Sequence, residues 1–116
     1  MSNEIDHRPW GKYEVIFDSP KVKIKQITVK PQKRLSYQYH NHRTEDWIII
    51  EGEAKITLDD DIVWRSPGER IRIKTGQVHR VNNPSFDNDL IFIEVQTGTY
   101  FGEDDIVRLE DDFNRE

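Results

Sequence analysis

Cysteine is absent from the 116-residue sequence. Without thiols, the chain can form neither a disulfide framework nor a thiolate zinc site. Any bound metal must therefore be held by nitrogen and oxygen donors. The sequence offers such donors in its four histidines and its many carboxylates.

Long hydrophobic runs are also missing. The apolar run at residues 47 to 50 is far shorter than the roughly 20 residues that a bilayer-spanning helix needs. The opening segment "MSNEIDHRPW" has no apolar stretch before a small-residue cleavage site. We therefore expect a cytoplasmic protein without a membrane partner.

An excess of positive charge is the third feature that the sequence lacks. It has 17 basic and 22 acidic residues, for a formal net charge of -5. This balance argues against a continuous nucleic-acid surface, so we expect no nucleic-acid partner. A local basic pocket for a small anion remains compatible with it.

What the sequence does contain is a series of short strand patterns separated by turn signals. The length fits a single domain over residues 1 to 116. Predicted strands cover residues 12 to 18, 21 to 30, 35 to 42, 46 to 58, 62 to 65, 70 to 74, 78 to 82 and 89 to 97. The pattern predicts an all-β sandwich or barrel.

Two local features modify this all-β pattern. In "KVKIKQITV" the apolar positions change parity near Gln26, which predicts a β-bulge there. In "GEDDIVRLEDDFNRE" the residues Ile106, Leu109 and Phe113 recur at helical spacing, which predicts a short C-terminal helix.

The stretch "SYQYHNHRTEDW" at residues 36 to 47 raises the question of function. Alternate residues of a strand share a face, so one face of residues 35 to 42 carries two tyrosines. The other face carries Ser36, Gln38, His40 and His42. The polar face either meets water or lines a metal site.

Two further segments favour the metal site. Glu45 follows His40 by five residues, and a lone His79 follows Gly76 in "GERIRIKTGQVHRVNN". Imidazole and carboxylate groups are common ligands of divalent metals. These segments raise the odds of a metal site, and a solvated polar face stays the alternative interpretation of the residues alone.

Together these segments resemble the two motifs of the cupin superfamily. In the first motif a histidine-rich strand is followed by a glutamate and, seven residues later, a glycine, here Glu45 and Gly52. The second motif is matched at Gly68, Gly76, His79 and Asn83, with Lys74 in place of a proline. The resemblance implies an all-β cupin double-stranded β-helix, or jelly-roll barrel, whose metal ligands point inward.

The cupin resemblance leaves two ligand sets open. Cupins commonly place the second ligand five residues before the glutamate, which favours Gln38, His40, Glu45 and His79. The competing set is His40, His42, Glu45 and His79. Either set suits a divalent ion such as zinc, manganese, iron, nickel or cobalt, and ligand chemistry alone does not choose among them.

Five blocks across nearly the whole chain resemble the type II mannose-6-phosphate isomerase family. That family includes stand-alone cupins and the C-terminal domains of bifunctional mannose-1-phosphate guanylyltransferases. The blocks are "RPWGKYEVI", "KVKIKQITVKP", "LSYQYHNHRTEDW", "GQVHRVNNP" and "IEVQTGTYFGEDDIVRLEDDF". A departure is Asp46, where the family usually has a histidine, and a carboxylate at the pocket rim would change local charge.

The family resemblance implies roles for several other residues. A metal-dependent isomerase interconverting mannose 6-phosphate and fructose 6-phosphate needs a proton shuttle, for which His42 is suited. Arg43 is the preferred catalytic and substrate-contacting arginine, and surface ion pairs are the alternative interpretation for each arginine. The predicted substrate-binding residues are Arg80, Ser36 and Arg34, with Arg8 as a weaker phosphate candidate.

Other functions remain compatible with the sequence. One is a non-catalytic metal-binding cupin that binds a sugar or sugar phosphate, and another is an isomerase or epimerase acting on a different sugar. An iron oxygenase fits the isomerase-like blocks less well. We expect a small-molecule sugar phosphate as the ligand and a homodimer as the assembly, because jelly-roll domains often pair to cover exposed sheet edges.

Overall fold

A computed structural model describes residues 4–113 of the chain, and these form eleven strands and one three-residue 3₁₀ helix. The strands are β1 (Ile5–Arg8), β2 (Gly11–Asp18), β3 (Val22–Val29), β4 (Tyr37–His40), β5 (Arg43–Glu51), β6 (Ala54–Leu58), β7 (Asp61–Arg65), β8 (Arg70–Ile73), β9 (His79–Asn82), β10 (Leu90–Gly98) and β11 (Ile106–Glu110). The 3₁₀ helix spans Glu103–Asp105. Among the described residues, no helix has the length and hydropathy of a bilayer-spanning segment.

Two antiparallel sheets make up the fold. One has the strand order β1-β2-β3-β10-β5-β8, and the other has the order β11-β4-β9-β6-β7. Both sheets contribute to one apolar core, in which Ile49 and Phe92 from the first sheet and Ile56 and Val81 from the second are fully buried. The predicted all-β jelly roll is confirmed.

The long strand that was predicted for residues 46 to 58 is two strands, β5 and β6, separated by a turn at Gly52. Gly52 has a φ of 83°, and a Cβ there would lie 2.7 Å from the Asp89 carbonyl oxygen. Only glycine satisfies both the positive φ and the close backbone approach without strain. The turn sends β6 into the second sheet, beside β9.

The predicted C-terminal helix is wrong over Ile106–Glu110, and the last part of the predicted segment, residues 114 to 116, lies outside the described residues. Residues Ile106–Glu110 form β11, which pairs with β4 so that Val107 lies opposite Tyr39. A short isolated helix is marginally stable, whereas the edge of β4 offers backbone partners along the segment, with one irregularity between Arg108 and Glu110. Phe113 still packs against the core, as its apolar character suggests.

The predicted bulge near Gln26 is also wrong. The β3 strand pairs with β10 in unbroken register, and the irregularity lies on its other neighbour, between Val15 and Phe17 of β2. The parity change has a different cause. Lys25 is buried on the same face as Ile27 and Val29, so a charged side chain occupies an interior position.

Candidate metal centre

Three strands bring a histidine pair and a carboxylate together inside the roll. His40 ends β4, His79 begins the adjacent β9, and Glu45 lies on β5 in the other sheet. Their candidate ligand atoms all lie within 4.8 Å of one another. Each residue is at most 2% exposed, so the cluster is an interior site and not a surface group of charges.

Gln38 lies beside this cluster. It is directly opposite His79 in the β4 and β9 pairing, it is buried, and it lines the same cavity as His40 and Glu45. The structure thus brings the four members of the preferred ligand set to one region of the interior.

His42 lies elsewhere. Strand β4 ends at His40, so the alternation of the strand does not continue to His42. Its side chain is 56% exposed, and its Nδ1 lies 2.6 Å from Asp105 Oδ1. The prediction that His42 shares the inward face of Gln38 and His40 is wrong, and His42 does not line the cavity.

The Asp105 carboxylate anchors the turn that carries His42. It accepts hydrogen bonds from the backbone N–H groups of Asn41 and His42 as well as contacting the His42 ring. Burial alone would raise the pKa of Asp105, but these hydrogen bonds lower it below its usual value. The carboxylate therefore ties the 3₁₀ helix to the connection between β4 and β5.

We expect Asp105→Asn to destabilise the chain near neutral pH by about 1–3 kcal/mol. Because the pKa of Asp105 is lower in the folded chain, its contribution is complete above the unfolded pKa of about 3.9 and is lost as pH falls through the folded value. Urea unfolding of both chains at several pH values measures this difference. A difference that stays constant down to about pH 2.5 would contradict the assignment.

Glu45 is held as a carboxylate at the centre of the site. It accepts hydrogen bonds from Arg43 Nε and from the Trp47 indole, each at 2.9 Å, and its Oε2 lies 3.1 Å from His40 Nε2. Burial opposes ionisation, but hydrogen bonds from Glu94 and His40 and the nearby Arg43 charge hold the pKa of Glu45 well below its usual range.

The pKa of Glu94 is shifted in the opposite direction from that of Glu45. Burial, and then the adjacent Glu45 carboxylate, raise the pKa of Glu94 well above its usual range. The pKa values of these two neighbouring carboxyl groups are thus shifted in opposite directions. The raised pKa of Glu94 disfavours a second negative charge beside Glu45.

The donor set fits a divalent metal. The Nδ1 of His79 lies 2.9 Å from the Gln77 carbonyl oxygen, whereas its buried Nε2 has no hydrogen-bond partner among the described residues. Burial lowers the pKa of His79, so its ring is neutral at pH 7. A neutral imidazole oriented through one nitrogen and unpartnered at the other is the usual arrangement of a metal-ligating histidine.

The wall of the cavity carries basic side chains, two of which, Arg43 and the weaker phosphate candidate Arg8, were predicted from the sequence. Arg43 was predicted, and its side chain is 4% exposed, with NH2 3.3 Å from His40 Nε2. Arg8, Lys25 and Arg108 line the cavity as well. The interior position of Lys25 had a sequence signal, because the charge interrupts an otherwise apolar face of β3.

The other predicted substrate residues divide between the cavity and the outer surface. Ser36 is buried and lines the cavity. Arg34 is paired with Asp112 at the surface, at 2.7 Å. Arg80 donates to the carbonyl oxygens of Leu35 and Glu110. Neither arginine lines the cavity, so the structure does not bring them to the predicted ligand.

Asp46, the departure from the family pattern, does not lie at the rim of the cavity. It follows Glu45 on β5 and therefore points to the opposite face, where its carboxylate pairs with Arg72 at 2.9 Å. The predicted effect of Asp46 on the charge of the pocket is therefore not supported by its position.

Comparisons with known proteins agree with this architecture. Residues 2–111 match the family described as mannose-6-phosphate isomerase C-terminal. The chain belongs to this family. Its fold is similar to that of a Klebsiella pneumoniae protein with a double-stranded β-helix domain, with a TM-score of 0.72, 22% identity and coverage of 84% of this chain and 77% of that one.

This chain matches one part of longer proteins, as the family resemblance implied. The chain is 44% identical over 109 residues to a mannose-1-phosphate guanylyltransferase of Escherichia coli, covering 94% of this chain and 23% of that protein. It is 45% identical over 109 residues to the alginate biosynthesis protein AlgA of Pseudomonas aeruginosa, covering 94% of this chain and 22% of that protein. The chain thus spans less than a quarter of the length of these relatives.

These relatives correct the predicted reaction. They are named for guanylyl transfer to mannose 1-phosphate and for polysaccharide biosynthesis, not for the interconversion of mannose 6-phosphate and fructose 6-phosphate. The predicted isomerase function is therefore wrong. The cupin fold and the link to mannose metabolism stand.

Proposed function

We propose that this chain is a metal-binding cupin that binds a phosphorylated sugar of the mannose series. The observation that carries the proposal is the cluster of buried His40, Glu45 and His79 donor atoms, within 4.8 Å of one another. Two of these residues, His40 and Glu45, line a cavity whose wall also carries Arg8 and Lys25. A relative that is 44% identical over 94% of this chain is named for mannose 1-phosphate, which motivates the choice of sugar.

The residues of the metal centre have separate tasks in this proposal. His40, Glu45 and His79 hold the ion, with Gln38 as the fourth donor. A bound divalent cation would supply Lewis acidity and a template for the sugar oxygens. Glu94, whose pKa is raised well above its usual range, lines the cavity beside Glu45, and Arg43 orients the Glu45 carboxylate through a 2.9 Å contact.

Sugar-phosphate binding is proposed here as a contribution to an enzyme. The guanylyltransferase relatives are enzymes, but this chain spans only 23% of the length of the Escherichia coli protein. We therefore propose a ligand for the cavity and assign no reaction to this chain alone. The predicted homodimer, for which the structure of a single chain offers no observation, stays a prediction.

Calorimetric titration tests the proposal directly. The purified chain, stripped of metal and then loaded with zinc or manganese, is titrated with mannose 1-phosphate, mannose 6-phosphate and mannose. We expect binding of a sugar phosphate that weakens about 10-fold or more after chelation, because the ion contributes contacts to the sugar oxygens. Equal affinity with and without metal, or no affinity for either phosphate, would overturn the proposal.

A further inference from the structure

Glu103 lies among three cations at the mouth of the cavity. Its carboxylate oxygens are 3.6 Å from Lys25 Nζ, 3.8 Å from Arg43 NH1 and 3.9 Å from Arg8 NH2. All three distances exceed those of ordinary hydrogen bonds. Oxygen Oε2 of Glu103 is buried and has no hydrogen-bond partner among the described residues.

The surrounding cations are held in place without Glu103. Arg8 contacts Asp6 at 3.1 Å, and Arg43 contacts Glu45 at 2.9 Å. Lys25 Nζ lies 4.1 Å from the centre of the Tyr13 ring, which supports a cation–π contact. Since these contacts fix the cations independently, the cluster does not need Glu103 in order to keep its shape.

Lys25 is the most informative member of the cluster. Its side chain is 4% exposed, and Glu103 supplies the one carboxylate within 4 Å of its Nζ in the described part of the chain. Burying an ammonium group is costly unless an anion accompanies it. A carboxylate at 3.6 Å, 39% exposed and not hydrogen-bonded to the ammonium, compensates this cost only in part.

We propose that Arg8, Lys25 and Arg43 form the phosphate subsite of the cavity, and that the Glu103 carboxylate occupies this subsite until a phosphate displaces it. This inference rests on the proposed function, because it places the phosphate group of the proposed sugar-phosphate ligand at these three cations. A phosphate monoester carries three terminal oxygens and more negative charge than a carboxylate, so it contacts three separated cations better than Glu103 does.

The position of Arg43 connects this subsite to the metal centre. Its NH1 faces Glu103, whereas its Nε contacts Glu45 and its NH2 lies 3.3 Å from His40 Nε2. The Arg43 guanidinium therefore lies beside both the proposed phosphate subsite and the proposed metal site. The 3₁₀ helix that carries Glu103 is short and is fastened through Asp105, so Glu103 can leave the cavity while the anchor remains.

Binding measurements on charge variants test the subsite. The chain, Lys25→Met, Glu103→Gln and the control Arg72→Gln are titrated with inorganic phosphate, mannose 1-phosphate and mannose, with metal content measured in parallel. Arg72 lies on the outer face, paired with Asp46. We expect Lys25→Met to weaken binding of both phosphate ligands about 10-fold or more, and Glu103→Gln to strengthen it about 3-fold or more, because each changes one full charge beside the phosphate.

The outcomes separate this inference from the proposed function. Metal-dependent binding of mannose 1-phosphate that is unchanged in both Lys25→Met and Glu103→Gln overturns the subsite and leaves the proposed function standing. If the affinity for inorganic phosphate changes in both variants in the expected directions, the subsite is supported. This holds even if the binding of sugar phosphates does not depend on metal. If thermal unfolding shows that Lys25→Met is not folded, Glu103→Gln decides, and unchanged or weaker phosphate binding by that variant overturns the subsite.

Discussion

Replacing His79 with alanine is expected to reduce divalent-metal affinity by more than about 100-fold. Loss of a residue that merely orients a ligand typically costs about 10–100-fold, and loss of a ligand costs more. The Nε2 of His79 is buried without a protein partner, within 4.8 Å of the His40 and Glu45 donors. Metal content by mass spectrometry and affinity by titration with zinc and manganese measure the effect.

His42→Ala is the matched control for this experiment. It removes an imidazole that is 56% exposed and does not line the cavity. We expect metal affinity to stay within about 2-fold of the unchanged chain, since a ring outside the metal site contributes no ligand bond. Circular dichroism and thermal unfolding verify that both variants are folded.

The pair of histidine variants also decides between the two ligand sets that the sequence leaves open. Loss of metal in His42→Ala would restore the set of His40, His42, Glu45 and His79. A folded His79→Ala chain that retains full metal affinity would refute the metal centre itself. Gln38→Ala is expected to have an intermediate effect, because a neutral amide oxygen is a weaker donor than imidazole or carboxylate.

Replacing Phe92 with alanine is expected to destabilise the metal-free chain by about 3–5 kcal/mol. Phe92 lies on β10, is fully buried, and has its ring centre 4.7 Å from that of Trp47. Its removal leaves a cavity between the core and the metal centre, in addition to the lost transfer free energy. This is a large part of the roughly 5–15 kcal/mol that stabilises a typical domain.

Phe86→Ala is the control for the core substitution, because Phe86 is 80% exposed. We expect it to change the free energy of unfolding by less than about 0.5 kcal/mol. Urea denaturation without metal is the suitable measurement, since a bound ion would add its own stabilisation. Equal losses for Phe86 and Phe92 would show that Phe92 does not contribute to the core as its burial indicates.

Two wrong predictions, the inward position of His42 and the C-terminal helix, both concern where a strand begins or ends. Extrapolating the alternation of β4 to His42 assumes that the strand continues, but Asp105 binds the backbone of Asn41 and His42 and ends it at His40. Ile106 and Leu109 do have helical spacing, but their segment pairs with the edge of β4 and forms a strand. In both cases a partner distant in the chain overrides the local pattern.

In the proposed phosphate subsite, Arg8 and Arg43 were named from the sequence, whereas the contribution of Lys25 and Glu103 was not predictable for a related reason. Lys25 and Glu103 lie far apart in the chain and belong to different elements. The charge of Lys25 on an apolar face is visible in the sequence, but the sequence does not show which carboxylate or ligand accompanies it. Arg34 and Arg80 were predicted as substrate residues from the family resemblance and from the suitability of a guanidinium for phosphate, and neither of these shows the face on which a side chain lies.

The sequence by itself determined the all-β class, the family and the residue types of the candidate metal centre, because each depends on local spacing and side-chain chemistry. Only the tertiary structure decided that His40, Glu45 and His79 meet in the interior, that His42 and Asp46 point away, and that Glu103 lies among three cations. Convergence of this kind depends on strand pairing and on where each strand ends. Backbone hydrogen bonds between distant segments decide both of these.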